Sequence, residues 1–248
     1  MDTEVKALDI AKMIDVSLLR PDMPPQEVLA GCRLAREYDC ISVCVKPCDV
    51  SLSFEALKGS DVLTTTVIGF PHGSNVTEVK LKEAGIAIDQ GCAEIDVVLN
   101  IGRLKGGDNA YIEEEVKAIT DYAHGKGAVV KIIFENAYLT EEEKIKACEI
   151  CVKAGVDFVK TSTGYAGGGA TIPDLKLMRS HCPEPIAIKA AGGVRSLEAA
   201  LMVLAVCGSG CRFGCTRTDQ IMKDARAAEA AGTLTLPDPA GLTAFPQG

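Results

Sequence analysis

Eight short β-type runs alternate with helix-type segments along this chain, and that alternation constrains the fold more than any other feature. The runs read "DVSLL", "ISVCVK", "LTTTVIGF", "EIDVVLN", "AVVKIIFE", "DFVKTST", "IAIKAAG" and "CRFGCT". Between most of them lie segments of helical period: "PQEVLAGCRLAREY", "NVTEVKLKEAGIAIDQG", "YIEEEVKAITDYAHGKG", "EEEKIKACEICVKAG" and "SLEAALMVLAVCG". Several close on glycine, as helix C-termini often do. Strands that are nearly continuous apolar runs separated by helices pair in parallel and are buried on both faces. Eight such units in 248 residues predict a single closed (β/α)8 barrel, a TIM barrel, which typically needs about 250 residues. An N-terminal helix precedes the barrel in this reading. The expected division is a barrel over 1–230 and an irregular, proline- and glycine-rich tail over 231–248. An open doubly wound sheet is the weaker alternative, and no G-x-G-x-x-G follows the first strand to support its dinucleotide-binding form.

Charge narrows the partners. The chain carries 26 basic and 34 acidic residues, net −8, which argues against nucleic acid and anionic membrane surfaces and favours small solutes. No 18 apolar residues run uninterrupted, and the N-terminus has acidic residues where an export signal would be basic. A soluble, cytoplasmic protein is expected. Eleven cysteines then read as free thiols. The triplets Cys40, Cys44, Cys48 and Cys207, Cys211, Cys215 have zinc-like spacings. Each straddles a predicted strand, however, where positions four apart lie about 13 Å from each other.

Charged residues interrupt four of the apolar runs: Asp96, Lys131, Lys160 and Lys189. A lone buried charge is costly, so together they are expected to be partners at the C-terminal strand ends, where barrel active sites sit. A lysine is a nucleophile only when neutral, and at a pKa of about 10.4 roughly one in 10³ to 10⁴ is neutral at pH 7. A neighbouring cation and burial both lower that pKa. Adjacent strands carrying Lys160 and Lys189 supply both, and Asp96 can balance the second lysine and handle protons, as a Schiff-base enzyme requires. The plainer alternative is that these groups only satisfy one another, and for Lys131 both readings stay open.

Glycines follow the sixth strand (Gly164, Gly167, Gly168, Gly169), the seventh (Gly192, Gly193) and the eighth (Gly214), with Thr216 beside the last. Thr171 with Pro173 and then Ser196 read as helix starts, which favour anions. Loops after strands seven and eight of a barrel commonly hold phosphate.

The motifs "VCVKP", "VIGFPHG", "EIDVVLNIG", "DFVKTSTG" and "KAAGGVR", in this order, resemble the deoxyribose-phosphate aldolase family over roughly residues 10–225. The resemblance implies a class I aldolase needing no metal or other cofactor. It would cleave 2-deoxy-D-ribose 5-phosphate to D-glyceraldehyde 3-phosphate and acetaldehyde. It further implies that Lys160 forms the imine, Lys189 lowers its pKa and Asp96 manages protons. Asp15, Ser17, Cys44 and Thr163 would meet the substrate, with Cys44 accessible. Gly164, Gly192, Gly193 and Thr216 would surround the phosphate, with Arg217 either joining them or facing solvent. Some relatives place a C-terminal tyrosine in the site, whereas this tail has none and is expected to be irregular or mobile. A homo-oligomer, dimer or tetramer, is also expected. Two rivals remain: an aldolase for another phosphosugar, with altered residues around Ser17, Asn100 and Tyr165, and a phosphosugar-binding barrel without catalysis.

Overall fold

A computed structural model describes residues 5–246, so the outermost ends of the expected barrel and tail ranges, 1–4 and 247–248, lie outside the described residues. After helix α1 (Ala7–Ala11) the chain runs β1 (Ile14–Leu18), α2 (Pro25–Tyr38), β2 (Ser42–Val45), α3 (Val50–Leu57), β3 (Leu63–Ile68), α4 (Thr77–Asp89) and β4 (Glu94–Val98). It continues α5 (Ile101–Lys105), α6 (Asn109–Gly125), β5 (Val129–Ile133), α7 (Glu141–Ala154), β6 (Phe158–Lys160) and α8 (Ile172–His181). The last units are β7 (Ala187–Ala190), α9 (Leu197–Cys207), β8 (Arg212–Cys215) and α10 (Thr218–Ala230). All eight strands pair in parallel in sequence order, and β1 pairs with β8, with Ile14 opposite Phe213, to close the barrel.

Local chemistry sets the boundaries. α7 begins with a capping box, in which the Thr140 hydroxyl accepts from Glu143 N–H while the Glu143 carboxylate accepts from Thr140 N–H. α2 starts on Pro25 and ends at Asp39 in the left-handed region, φ 55°. The strands stop earlier than their apolar runs. β6 is three residues long because the next side chain takes over the pairing: the Thr161 hydroxyl accepts from Ala191 N–H and donates to the Ala191 carbonyl. This frees the following backbone to turn into the glycine loop.

Register does the rest of the positioning. Lys160 lies opposite Lys189 across the β6–β7 ladder, and Asp96 opposite Lys131 across β4–β5. Parallel neighbours in register point to the same face, so these groups enter the barrel together. Around the barrel, the apolar helix faces pack on the outer strand faces in one large cluster that includes Ile10, Val28, Ile112, Ile150, Leu175 and Ile221.

The tail has little regular structure beyond a turn at Pro239–Gly241, but it is packed down: Leu236, Leu242 and Phe245 contact the core, and Lys176 Nζ donates to the Leu242 carbonyl at 2.8 Å. Three apolar side chains and one hydrogen bond from a charged amine hold this irregular segment against the barrel. Among the described residues no helix is long and apolar enough to cross a membrane.

One buried ion pair lies in the helical layer. Lys80 on α4 is fully buried, donates to Glu115 of α6 at 2.7 Å and to the Val98 carbonyl at 2.8 Å, and so ties two helices to the end of β4. Burial pulls the Lys80 pKa down, against the carboxylate beside it. We expect Lys80→Ala to leave the Glu115 charge unpaired and cost about 3–5 kcal/mol in urea unfolding. Lys80→Met combined with Glu115→Leu should recover most of that loss.

Candidate active site

Three carboxylates and four cationic side chains interlock through the barrel interior, from Glu94 and Arg212 at the N-terminal ends of β4 and β8 up to Lys160 at the C-terminal end of β6. Asp96, fully buried on β4, is the hub: its Oδ2 accepts from Lys160 Nζ and Lys189 Nζ, each at 2.6 Å, and its Oδ1 lies 3.0 Å from Lys131 Nζ. Lys189 also donates to Asp15 of β1. Lys131 donates to Glu94 at 2.6 Å, and Glu94 also pairs with Arg212. Lys131 and Lys189 therefore each engage two carboxylates. Lys160 engages one, and shares it.

The electrostatics follow from this packing. Burial opposes ionisation of Glu94, yet Lys131 and Arg212 outweigh it and bring its pKa to about 2. Burial likewise opposes the Asp96 charge, and three lysines overcome it, so the carboxyl is held well below its ordinary range. Burial acts against the Lys189 ammonium, but Asp15 and Asp96 reverse the effect and raise its pKa. Lys189 is thus a permanent cation next to Lys160.

A cavity of about 330 Å³ opens above the network. Asp15, Ser17, Cys44, Lys160, Thr163, Gly164, Lys189, Gly192, Gly193 and Thr216 all line it. Asp96 does not. It sits beneath the two lysines and reaches the cavity only through them. Lys131 is also fully buried below, between Glu94 and Asp96.

One expectation is corrected. Cys44 lines the cavity but is 2% exposed, packed with Leu19 and Val67 in a small apolar cluster. Burial pushes its thiol pKa up and Asp15 and Asp96 add to that, so the sulfur is a protonated wall group rather than an accessible nucleophile. Asn100 caps α5, its side chain accepting from Arg103 N–H, and is not among the residues lining the catalytic cavity.

Sequence reasoning missed other groups. Arg195, Leu19 and Arg20 line the cavity, and Tyr165, named only as a variable position, stands at its edge. Glu135, buried with φ 58° after β5, accepts from both the N–H and the hydroxyl of Thr163 and so fixes the β6 loop. Its signal was a carboxylate directly after the apolar run of β5.

The glycine loops close on each other. Gly192 has φ 72°, and a Cβ on Gly169 would stand 2.4 Å from the Gly192 carbonyl oxygen, so neither position has room for a larger residue. Among the described residues the N–H groups of Gly164, Gly192 and Gly193 have no backbone acceptor. They border the cavity, as an anion cradle would. Arg217 lines a second, adjoining cavity of about 740 Å³ with Thr171, Ser196 and Phe245. For a metal, the available donors are Asp15, Cys44 and Asp96, whose ligand atoms lie within 4.8 Å of one another. Lys189 already occupies both carboxylates.

Lysines buried side by side at the C-terminal strand ends of a (β/α)8 barrel, beneath glycine loops, are the layout of the barrel aldolases, and the chain falls in that class. The model of the DeoC/LacD family aldolases matches residues 13–214, and the chain belongs to this family. It is 50% identical over 196 residues to the deoxyribose-phosphate aldolase of Caldanaerobacter subterraneus subsp. tengcongensis, covering 79% of this chain and 85% of the relative. It is 45% identical over 218 residues to that of Rhodopirellula baltica, covering 88% and 90%. The tetrameric deoxyribose phosphate aldolase from Aeropyrum pernix superimposes with a TM-score of 0.82 at 28% identity, covering 90% of this chain and 93% of that one.

The Glu94 shift generates a stability prediction. A carboxyl whose folded pKa is about 2 against an ordinary 4.5 stabilises the fold fully above pH 4.5. That contribution is lost as the pH falls through 2, and it is worth on the order of 3 kcal/mol. Asp96 acts in the same direction. The urea midpoint should drop across this window, with a shallower descent in Glu94→Gln. A midpoint independent of pH there would contradict the pairing.

Proposed function

We propose that this chain is a class I aldolase that reversibly cleaves 2-deoxy-D-ribose 5-phosphate to D-glyceraldehyde 3-phosphate and acetaldehyde through an imine on Lys160. The observation that carries the reading is the unequal partnership of the two rim lysines. The network holds one more cationic side chain than carboxylates, and a buried excess charge is costly. Lys160, with a single shared carboxylate, is the amine least bound by counter-charge. Lys189 stays charged and opposes a second ammonium beside it.

The chemistry then runs on named atoms. The neutral Lys160 amine adds to the C1 aldehyde, and loss of water leaves a protonated imine. The C3 hydroxyl gives up its proton, through a water, to the Asp15 carboxylate, which Lys189 holds in place. The C2–C3 bond breaks, its electron pair passes into the imine as an enamine, and glyceraldehyde 3-phosphate departs. Protonation at C2 and hydrolysis release acetaldehyde and restore the amine. Asp96 never meets the substrate in this scheme and works by holding both lysines. The phosphate rests on the free amides of Gly164, Gly192 and Gly193, with Thr216 and Arg195 beside them. The relatives' names and the tetramer from Aeropyrum pernix support a soluble homo-oligomer, dimer or tetramer, acting on a phosphorylated sugar.

Borohydride reduction with acetaldehyde present should attach an ethyl group to Lys160 and abolish activity, with peptide mass spectrometry locating it. An adduct only on Lys131 or Lys189 would overturn the assignment. Activity should survive dialysis against a chelator.

Lys189→Leu separates electrostatics from nucleophilicity. Without that cation, activity near pH 7 should fall by about 10² to 10³ and return in part at alkaline pH. A pH–rate profile of unchanged shape, alongside a much lower Tm, would mean that Lys189 serves only to pair Asp15 and Asp96.

A further inference from the structure

Tyr165 borders three of the cavities at the barrel mouth: the catalytic cavity, an apolar chamber of about 390 Å³ and a third cavity of about 290 Å³. The residue directly follows the β6 loop glycine, Gly164, yet its side chain crosses the mouth: its hydroxyl donates to the Leu19 carbonyl, just past β1, at 2.7 Å. Its ring stands edge-on to Phe70, just past β3, with centroids 5.4 Å apart at 85°. Its N–H donates to the Thr163 hydroxyl, which Glu135 fixes in turn.

Leu19 and Tyr165 are also the residues shared by the catalytic cavity and the apolar chamber, so they form the wall between them. The chamber continues over the ends of β1 to β3, past Pro47, Val67 and Phe70, with Lys46 and Glu83 among its lining. The glycine loops lie on the other side, after β6, β7 and β8. An aldehyde held on Lys160 therefore has the phosphate cradle on one side and this wall on the other.

We propose that Tyr165 is a specificity-determining residue that limits the size of the donor aldehyde, and that behind it lies a preformed chamber suited to an unbranched alkyl chain. The inference rests on the imine-forming reading of Lys160. A two-carbon donor ends before the wall. A longer donor meets the tyrosine ring, which a hydrogen bond and an aromatic contact hold in place. Truncating the ring joins the chamber to the catalytic cavity.

The test is a donor series of acetaldehyde, propanal and pentanal, with D-glyceraldehyde 3-phosphate as acceptor, in wild type, Tyr165→Phe and Tyr165→Ala. The kcat/KM ratio of pentanal to acetaldehyde should rise by about tenfold or more in Tyr165→Ala. Tyr165→Phe keeps the ring against Phe70 while losing the Leu19 anchor, and should fall between. Phe70→Ala, which weakens the wall from its other side, should shift the ratio in the same direction and guards against a misfolded tyrosine variant. If truncation lowers every donor in proportion, Tyr165 is only structural and the proposal is overturned. Borohydride capture of pentanal against acetaldehyde on Lys160 reads the same ratio without turnover. A wild type that captures aldehyde but does not cleave the sugar phosphate would count against the activity alone, while an unchanged capture ratio across the variants would overturn the partition.

Discussion

Everything at the mouth of this barrel depends on Asp96. One carboxylate, removed from water, touches three lysines on three other strands, and Lys160 has no other carboxylate to offset its burial. The arrangement also ranks the lysines. Lys131 is pinned deep between Asp96 and Glu94, Lys189 reaches the cavity but is pinned between Asp96 and Asp15, and Lys160 reaches the cavity with one anion that it shares with both. A single hub thus makes two structural cations and one reactive group from chemically identical side chains.

Much of this was legible in the chain. Charges interrupting apolar runs had to be mutual partners, and parallel in-register strands made Lys160 and Lys189 neighbours as soon as their runs were adjacent. The glycine clusters likewise fell at neighbouring strand ends. What stayed hidden depended on depth and distance. No spacing reveals that Asp96 lies below the cavity while Asp15 reaches it, because both read as acidic residues in apolar strands. Cys44 sits at the expected strand end, but its burial comes from Leu19 and Val67, contributed by other strand regions. Lys80 and Glu115 looked like ordinary charged helix positions, and their pairing across α4 and α6 is set by helix packing alone.

The helices and loops contribute in different currencies. The outer layer supplies apolar contact that closes the barrel, while the loops supply hydrogen bonds that aim backbone groups at the cavity. Glu135 joins the two regimes. Held in a left-handed conformation that costs a non-glycine residue some strain, it grips Thr163 and fixes the start of the loop from which Tyr165 crosses the mouth. Precision at the rim is therefore inherited from a carboxylate that touches none of the reacting groups.

Of the eleven thiols, ten are buried and only Cys48 is exposed. In the native barrel they are shielded packing groups of low reactivity. Unfolding releases all of them at once, at high local concentration on one flexible strand. Prolonged heat or denaturant in air would hold the chain open long enough for random disulfides to form, turning a reversible melt into covalent scrambling. The lifetime of such a protein outside a reducing environment is governed by how rarely it opens, and a small thiol reductant protects the denatured chain rather than the native one.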